Sequence, residues 1–183
     1  MRILPGISPY IGSTEAEAKA LYEEFNSLIQ PAFSIAQLRQ MTGLDLTGHD
    51  LDGPFPRHLL DTGGPLGVAS RFRLILDIVD REKPTIRQVI HRLAGARGHY
   101  VVVGTPEKIA DEIQAWFENG AADGFNVMPP WLHGGFEVFA AEVVPILRKR
   151  GLFREDYTAA TLRGHFGLPR PESQYAAALR ATA

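Results

Sequence analysis

Apolar residues recur along this chain with two different periods. Ile109, Ile113, Trp116 and Phe117 fall at spacings of four, seven and eight, which makes one helical stripe. Thr105 supplies an N-cap hydroxyl, Pro106 fits the first helical position, Glu107 favours the positive end of the dipole, and Asn119-Gly120 is a left-handed stop. Before this helix, Tyr100-Val101-Val102-Val103 is a short β-branched run that predicts a strand at 100–103. After it, Phe125-Asn126-Val127-Met128 predicts a strand at 124–128, closed by Pro129-Pro130. The three elements form a βαβ unit, so their strands should run parallel.

The same reading covers the rest of the chain. Residues 2–7 predict a strand and 8–13 a loop. Thr14-Glu15-Ala16-Glu17 is a capping box that opens a helix to about residue 29, with Ala18, Leu21, Phe25 and Leu28 on one side and Pro31 as its stop. A shorter helix is expected at 34–41. Residues 42–70, rich in Gly and Pro, read as a long irregular loop. Helical stripes follow at Phe72, Ile75, Leu76 and Val79, and at Ile86, Val89, Ile90 and Leu93, with His91 on the boundary of the second. Gly95 and Gly98 break that helix and deliver His99 to the mouth of the 100–103 strand. A last long helix at 136–150 carries Phe139, Val143, Ile146 and Leu147, is kinked by Pro145 and ends at Gly151. Residues 152–171 read as a tail and 172–183 as a frayed, Ala-rich helix.

Composition narrows the functional classes. A net charge of −2 over 183 residues argues against a nucleic-acid or membrane-surface role driven by bulk charge. The chain has no cysteine, which excludes disulfides, thiolate catalysis and Cys-ligated metal. No apolar run is long enough to span a bilayer, and the cytoplasm is the expected compartment. Asp45, His49, Asp50 and Asp52 cluster in the irregular loop, but their spacing matches no calcium-loop or zinc pattern, so capping of backbone groups is the expected role. Gly95-Ala96-Arg97-Gly98 is too sparse for a phosphate-binding fingerprint.

Three strands, each followed by a helical region, give an α/β order. Three parallel strands leave open edges and fall short of a closed eight-stranded barrel, so the chain reads as the C-terminal part of something larger.

Several blocks carry a family resemblance in order: Ile3-Leu4-Pro5-Gly6, Thr14-Glu15-Ala16-Glu17-Ala18, Asp50-Leu51-Asp52-Gly53-Pro54, Thr85-Ile86-Arg87-Gln88, Gly104-Thr105-Pro106-Glu107, Gly120-Ala121-Ala122-Asp123-Gly124-Phe125-Asn126 and Arg150-Gly151-Leu152-Phe153-Arg154. Over residues 2–171 the chain resembles the bacterial-luciferase-like flavin-dependent monooxygenases, in the branch of nitrilotriacetate monooxygenase component A. The resemblance implies the C-terminal part of a TIM (β/α)8 barrel at 1–171, with a helical insertion at about 30–95 and a frayed tail at 172–183. It implies reduced FMN supplied by a separate flavin reductase, O2 and a small organic substrate, in an oligomer of like chains. It also implies that the complete site needs an N-terminal half. The alternative is a non-catalytic remnant or interaction module that self-associates through open strand edges.

Barrel chemistry sits at the C-terminal ends of strands. On the predicted strands that test picks out Pro5-Gly6, Asn126, Met128 and Pro129. His99 precedes a strand, yet its Gly-His segment is similar to one that puts a histidine near the flavin in the family. It is the candidate catalytic residue, as hydrogen-bond donor or acid–base group; a helix cap or packed core residue is the other reading. Asn126, Met128 and Pro129 are the candidate cofactor contacts and Trp131 the candidate substrate contact. Asn126 could instead bond strand-end backbone, and for Met128 and Trp131 the residues alone favour core packing. His133 and His165 receive no role.

Overall fold

The computed structural model describes residues 1–62, 69–96, 98–173 and 175. It contains three strands, β1 (Gly6–Ile11), β2 (Tyr100–Gly104) and β3 (Asn126–Val127). The described helices are α1 (Glu15–Ser27), α2 (Pro31–Thr42), α3 (Leu59–Thr62), α4 (Ala69–Glu82), α5 (Ile86–Ala96), α6 (Pro106–Glu118), α7 (Gly134–Val138), α8 (Val144–Lys149) and α9 (Leu162–His165). A π-helical turn, Phe139–Val143, joins α7 to α8. The expected tail helix at 172–183 falls almost wholly outside the described residues.

All strand pairs are parallel, in the order β2-β1-β3. The two strands of the predicted βαβ unit are therefore parallel but not neighbours, because β1 lies between them. β1 itself corrects the expected strand at 2–7 and loop at 8–13. Residues 2–4 are held beside the approach to β3 instead: Asp123 accepts from the Ile3 N–H (2.8 Å) and from the Arg2 guanidinium (2.7 Å). β1 accommodates Pro9 within it. The Gly12 N–H donates to Gly104 on the β2 side, and the ladder alternates, so Pro9 turns its nitrogen toward β3, beyond the pairing that ends with Met128 on Ile7.

The capping box at α1 forms: the Glu17 N–H donates to Thr14 Oγ1 at 3.1 Å, and the Glu17 carboxylate accepts from the Ser13 N–H at 2.8 Å. Leu28 leaves the expected apolar face and is 71% exposed. Pro31 does not simply stop α1; it begins α2, where its missing N–H is harmless. Thr105 caps α6 as expected, while Phe117 at the end of its stripe is half-exposed. The single helix expected at 136–150 is interrupted by the π turn, which ends just before Pro145. The 152–171 tail contains the one-turn α9, capped by Thr161.

Alternation on the strands divides the side chains between two faces. Ile7 and Ile11 join Val102, Ile109, Phe139, Val143 and Leu147 in one core against α6, the π turn and α8. A second core lies within residues 38–93 and is built on Leu38, Leu46, Ile75, Ile86 and Val89. The irregular loop feeds this core with buried Leu44, Leu46, Phe55 and Leu60, so its part from Leu44 to Leu60 is packed structure. It is tied to the start of α5 by Phe55 N–H to Pro84 O (2.9 Å) and by paired Arg87–Asp52 bonds (2.7 and 2.9 Å).

Candidate functional site

The other face of the sheet carries the candidate residues. Gly6, Ser8 and Tyr10 point to it, and the register adds Val101 and Val103 from β2, then Asn126 and Met128 from β3. A cavity of about 810 Å3 opens there, between the sheet and the helices of the second core. Its sheet side includes His99, Val101, Val103, Asn126 and Met128, and its helical side includes Leu74, Ile78, Arg81 and Arg92.

Three of the five candidates converge on Gly6. A Cβ built there would lie 2.7 Å from His99 Nδ1 and 2.7 Å from Met128 Sδ, so only glycine lets the ring and the thioether close over the start of β1. His99 Nε2 lies 3.5 Å from the Arg71 guanidinium of α4. That guanidinium also covers Gly98, where a Cβ would meet it at 2.6 Å and where φ is +80°. Asn126 donates its side-chain N–H to Leu4 O at 2.8 Å, a bond to strand-end backbone, and its carbonyl oxygen stays available to the cavity.

Pro129 and Trp131 do not line this cavity. Trp131 stacks on Phe25 of α1 at 5.3 Å, and its ring packs against Gly134 and Gly135. Phe25 and Tyr22 in turn meet the edge of buried Tyr10. Burial, followed by Tyr22, pushes the Tyr10 hydroxyl pKa above the usual tyrosine value.

The placement corrects one premise. Pro5-Gly6 lies at the beginning of β1, because that strand runs from Gly6 to Ile11. His99 precedes β2 and Asn126 opens β3, so the cavity gathers the N-terminal ends of the strands. The C-terminal ends carry a different arrangement. There Glu15 accepts from Lys108 Nζ (2.7 Å) and the Thr105 N–H (3.3 Å), and the Lys108 bond is the main reason its carboxyl pKa falls below the usual range.

The sequence alone does not mark Arg81 and Arg92 in the cavity wall, or Arg71 beside His99. Their helices were judged by apolar stripes, and the only available signal was their recurrence on either side of those stripes. Among the described residues no group of three or more His, Cys, Asp or Glu could hold a metal ion. Asp45 and Asp50 instead accept from the Thr47 and Asp52 N–H groups, both at 3.0 Å, as the capping reading expected. No helix among them is long and apolar enough to cross a membrane.

A scan against protein-family models finds no match. Curated proteins do match. The chain is 47% identical over 175 residues to N-acetyl-S-(2-succino)cysteine monooxygenase of Bacillus subtilis (strain 168), covering 95% of this chain and 39% of that protein. It is 42% identical over 177 residues to nitrilotriacetate monooxygenase component A of Aminobacter aminovorans, covering 96% of this chain and 38% of that protein. This chain is homologous to the C-terminal portion of the luciferase-like monooxygenases. The solved structure of a riboflavin lyase with modified FMN and riboflavin superposes with a TM-score of 0.69 at 29% identity, over 90% of this chain and 35% of that one. The chain thus spans about two fifths of the length of the curated luciferase-like monooxygenases it matches. Its α/β architecture agrees with theirs, and its own contribution is a three-stranded sheet.

Proposed function

We propose that this chain forms the C-terminal part of a flavin-dependent monooxygenase barrel, with residues 1–171 supplying barrel structure, 30–95 a helical insertion and 172–183 a tail. The observation that carries the reading is the convergence of His99, Asn126 and Met128 on one cavity in a chain homologous to such enzymes. The lining suits FMN. Val101, Val103, Leu74, Ile78 and Met128 offer an apolar wall for a ring system, and His99 and Asn126 offer polar contacts at its edge. Reduced FMN, when bound, supplies the electrons that activate O2. The chain's residues then position and shield: Met128 and the valines exclude water, Asn126 presents an acceptor, and His99 holds or moves a proton at a ring nitrogen. Pro129 and Trp131 stay in the proposal as residues that shape the chain after β3. A flavin-reductase partner, a small organic substrate, assembly into oligomers and cytoplasmic action belong to the same reading.

The test joins this chain to the N-terminal portion of nitrilotriacetate monooxygenase component A and supplies reduced FMN and O2. Oxygenated product is expected from the joined protein, and His99→Ala should lower its rate by roughly 10²-fold or more. A joined protein that folds and binds FMN but is indifferent to His99→Ala and Asn126→Ala would refute the assignment of these residues.

A further inference from the structure

A second, smaller cavity lies beside the first, between α1 and α5. Tyr22 and Asn26 stand one turn apart on α1 and face Gln88 and His91 on α5, with Glu82 and Arg92 at the rim. Its volume is about 320 Å3, the size of a small-molecule pocket. Asn26 and Pro84 form the buried floor. Asn26 is only 8% exposed, yet its side-chain amide makes no hydrogen bond to any described residue. No fully buried side-chain polar atom among the described residues lacks a partner, so the Asn26 amide keeps its access through the cavity, where water or a polar ligand can meet it.

The chemistry around Asn26 selects the occupant. Arg92 and Glu82 pair through two contacts, at 2.9 and 2.6 Å, so the rim charges offset each other. Burial, then the neighbouring Arg87, lowers the His91 pKa below the usual value, with Asp52 pulling the other way, so the surroundings disfavour the charged imidazolium. Gln88 commits its carbonyl oxygen to the Thr85 N–H at 2.9 Å and keeps its N–H donors. An ionic ligand would lose its hydration without meeting a net counter-charge. A carboxamide sets an acceptor oxygen beside N–H donors and is complementary to the Asn26 amide, with Tyr22, Gln88 and His91 as further hydrogen-bonding groups in the lining.

We propose that the cavity between α1 and α5 binds a small neutral ligand through a carboxamide group, with Asn26 as its central contact. Tyr22 and Arg92 also line the larger cavity, so a ligand held here adjoins that space. The proposal stands without the flavin reading.

The experiment titrates acetamide, with acetate as the charged control, into the full chain and follows the Asn26 side-chain and His91 ring signals by NMR. Acetamide should give saturable shifts at both residues and acetate none. Asn26→Leu should weaken acetamide binding about tenfold, the loss of one buried hydrogen bond. Gln88→Met, on the exposed rim, should weaken it severalfold and keeps the test open where Asn26→Leu fails to fold. No saturable shift with acetamide would mean a cavity filled by water and would overturn the proposal. Equal response to acetate, or binding unchanged in the folded variants, would overturn it as well.

Discussion

Leu46 and Ile109 are both fully buried, yet they sit in cores assembled in opposite ways. The core around Leu46 draws its buried residues from positions 38–93, so its contacts close within one stretch of chain. The core around Ile109 draws on Ile7, Val102 and Leu147 and closes only when distant parts of the chain meet. Helices fed by a packed loop suit the first arrangement, and parallel strands, which need crossovers, impose the second. The larger cavity lies where the two meet, with β1–β3 on one side and α4 and α5 on the other. The comparison therefore separates the residues that hold the candidate site's wall from those that hold its cover.

The largest effects should come from truncating each core in turn. Leu46→Ala and Ile109→Ala should each cost about 2–5 kcal/mol, read by urea denaturation. Native-state hydrogen exchange sharpens the contrast: Leu46→Ala should lower protection first in α4 and α5, and Ile109→Ala first in β1 and β2. Equal loss everywhere would mean that the cores unfold as one.

Next come the glycines that join the regions. At Gly12 a Cβ would lie 2.4 Å from the Ala18 backbone nitrogen, and backbone cannot step aside. Gly12→Ala should therefore cost more than Gly6→Ala, where the obstacles are the His99 and Met128 side chains. The second change should cost about 1–3 kcal/mol and displace the His99 ring, visible as a changed imidazole NMR signal.

Smaller still is Thr14→Ala, which removes the cap of α1 and should cost about 1 kcal/mol, measured by thermal denaturation. The smallest effect is electrostatic. The hydrogen bond from Arg87 holds the Asp52 carboxyl below the usual aspartate pKa. A folded pKa below the unfolded one stabilises above about pH 3.9, and that contribution fades as pH falls through the folded value. Asp52→Asn should flatten the acid limb of stability for α4 and α5 and leave that of the sheet unchanged.

The parts legible in the sequence were those governed by local chemistry. The caps at Thr14 and Thr105, the stripes of α4, α5 and α6, and the strand at Tyr100 depend on residues a few positions apart. β1 starts later than the local pattern suggests because its placement depends on what lies beside it: Asp123 holds Arg2 and Ile3, Asn126 holds Leu4, and the short β3 leaves room for Pro9. The buried leucines of the 42–70 loop were hidden among Gly and Pro, since burial there depends on helices that follow later in the chain. For the candidate site, His99, Asn126 and Met128 were picked out, but their meeting over Gly6 is a product of register. The arginines and Asn26 carry their meaning only once α1, α4 and α5 are packed, and no sequence period marks them.

The most direct test is a crystal structure of the joined protein with FMN. The account predicts the flavin ring against Val101, Val103 and Met128, with His99 and Asn126 in contact and α4 covering it. A flavin held at the other end of the strands, against Gly104, Thr105 and Trp131 and remote from His99, would contradict it.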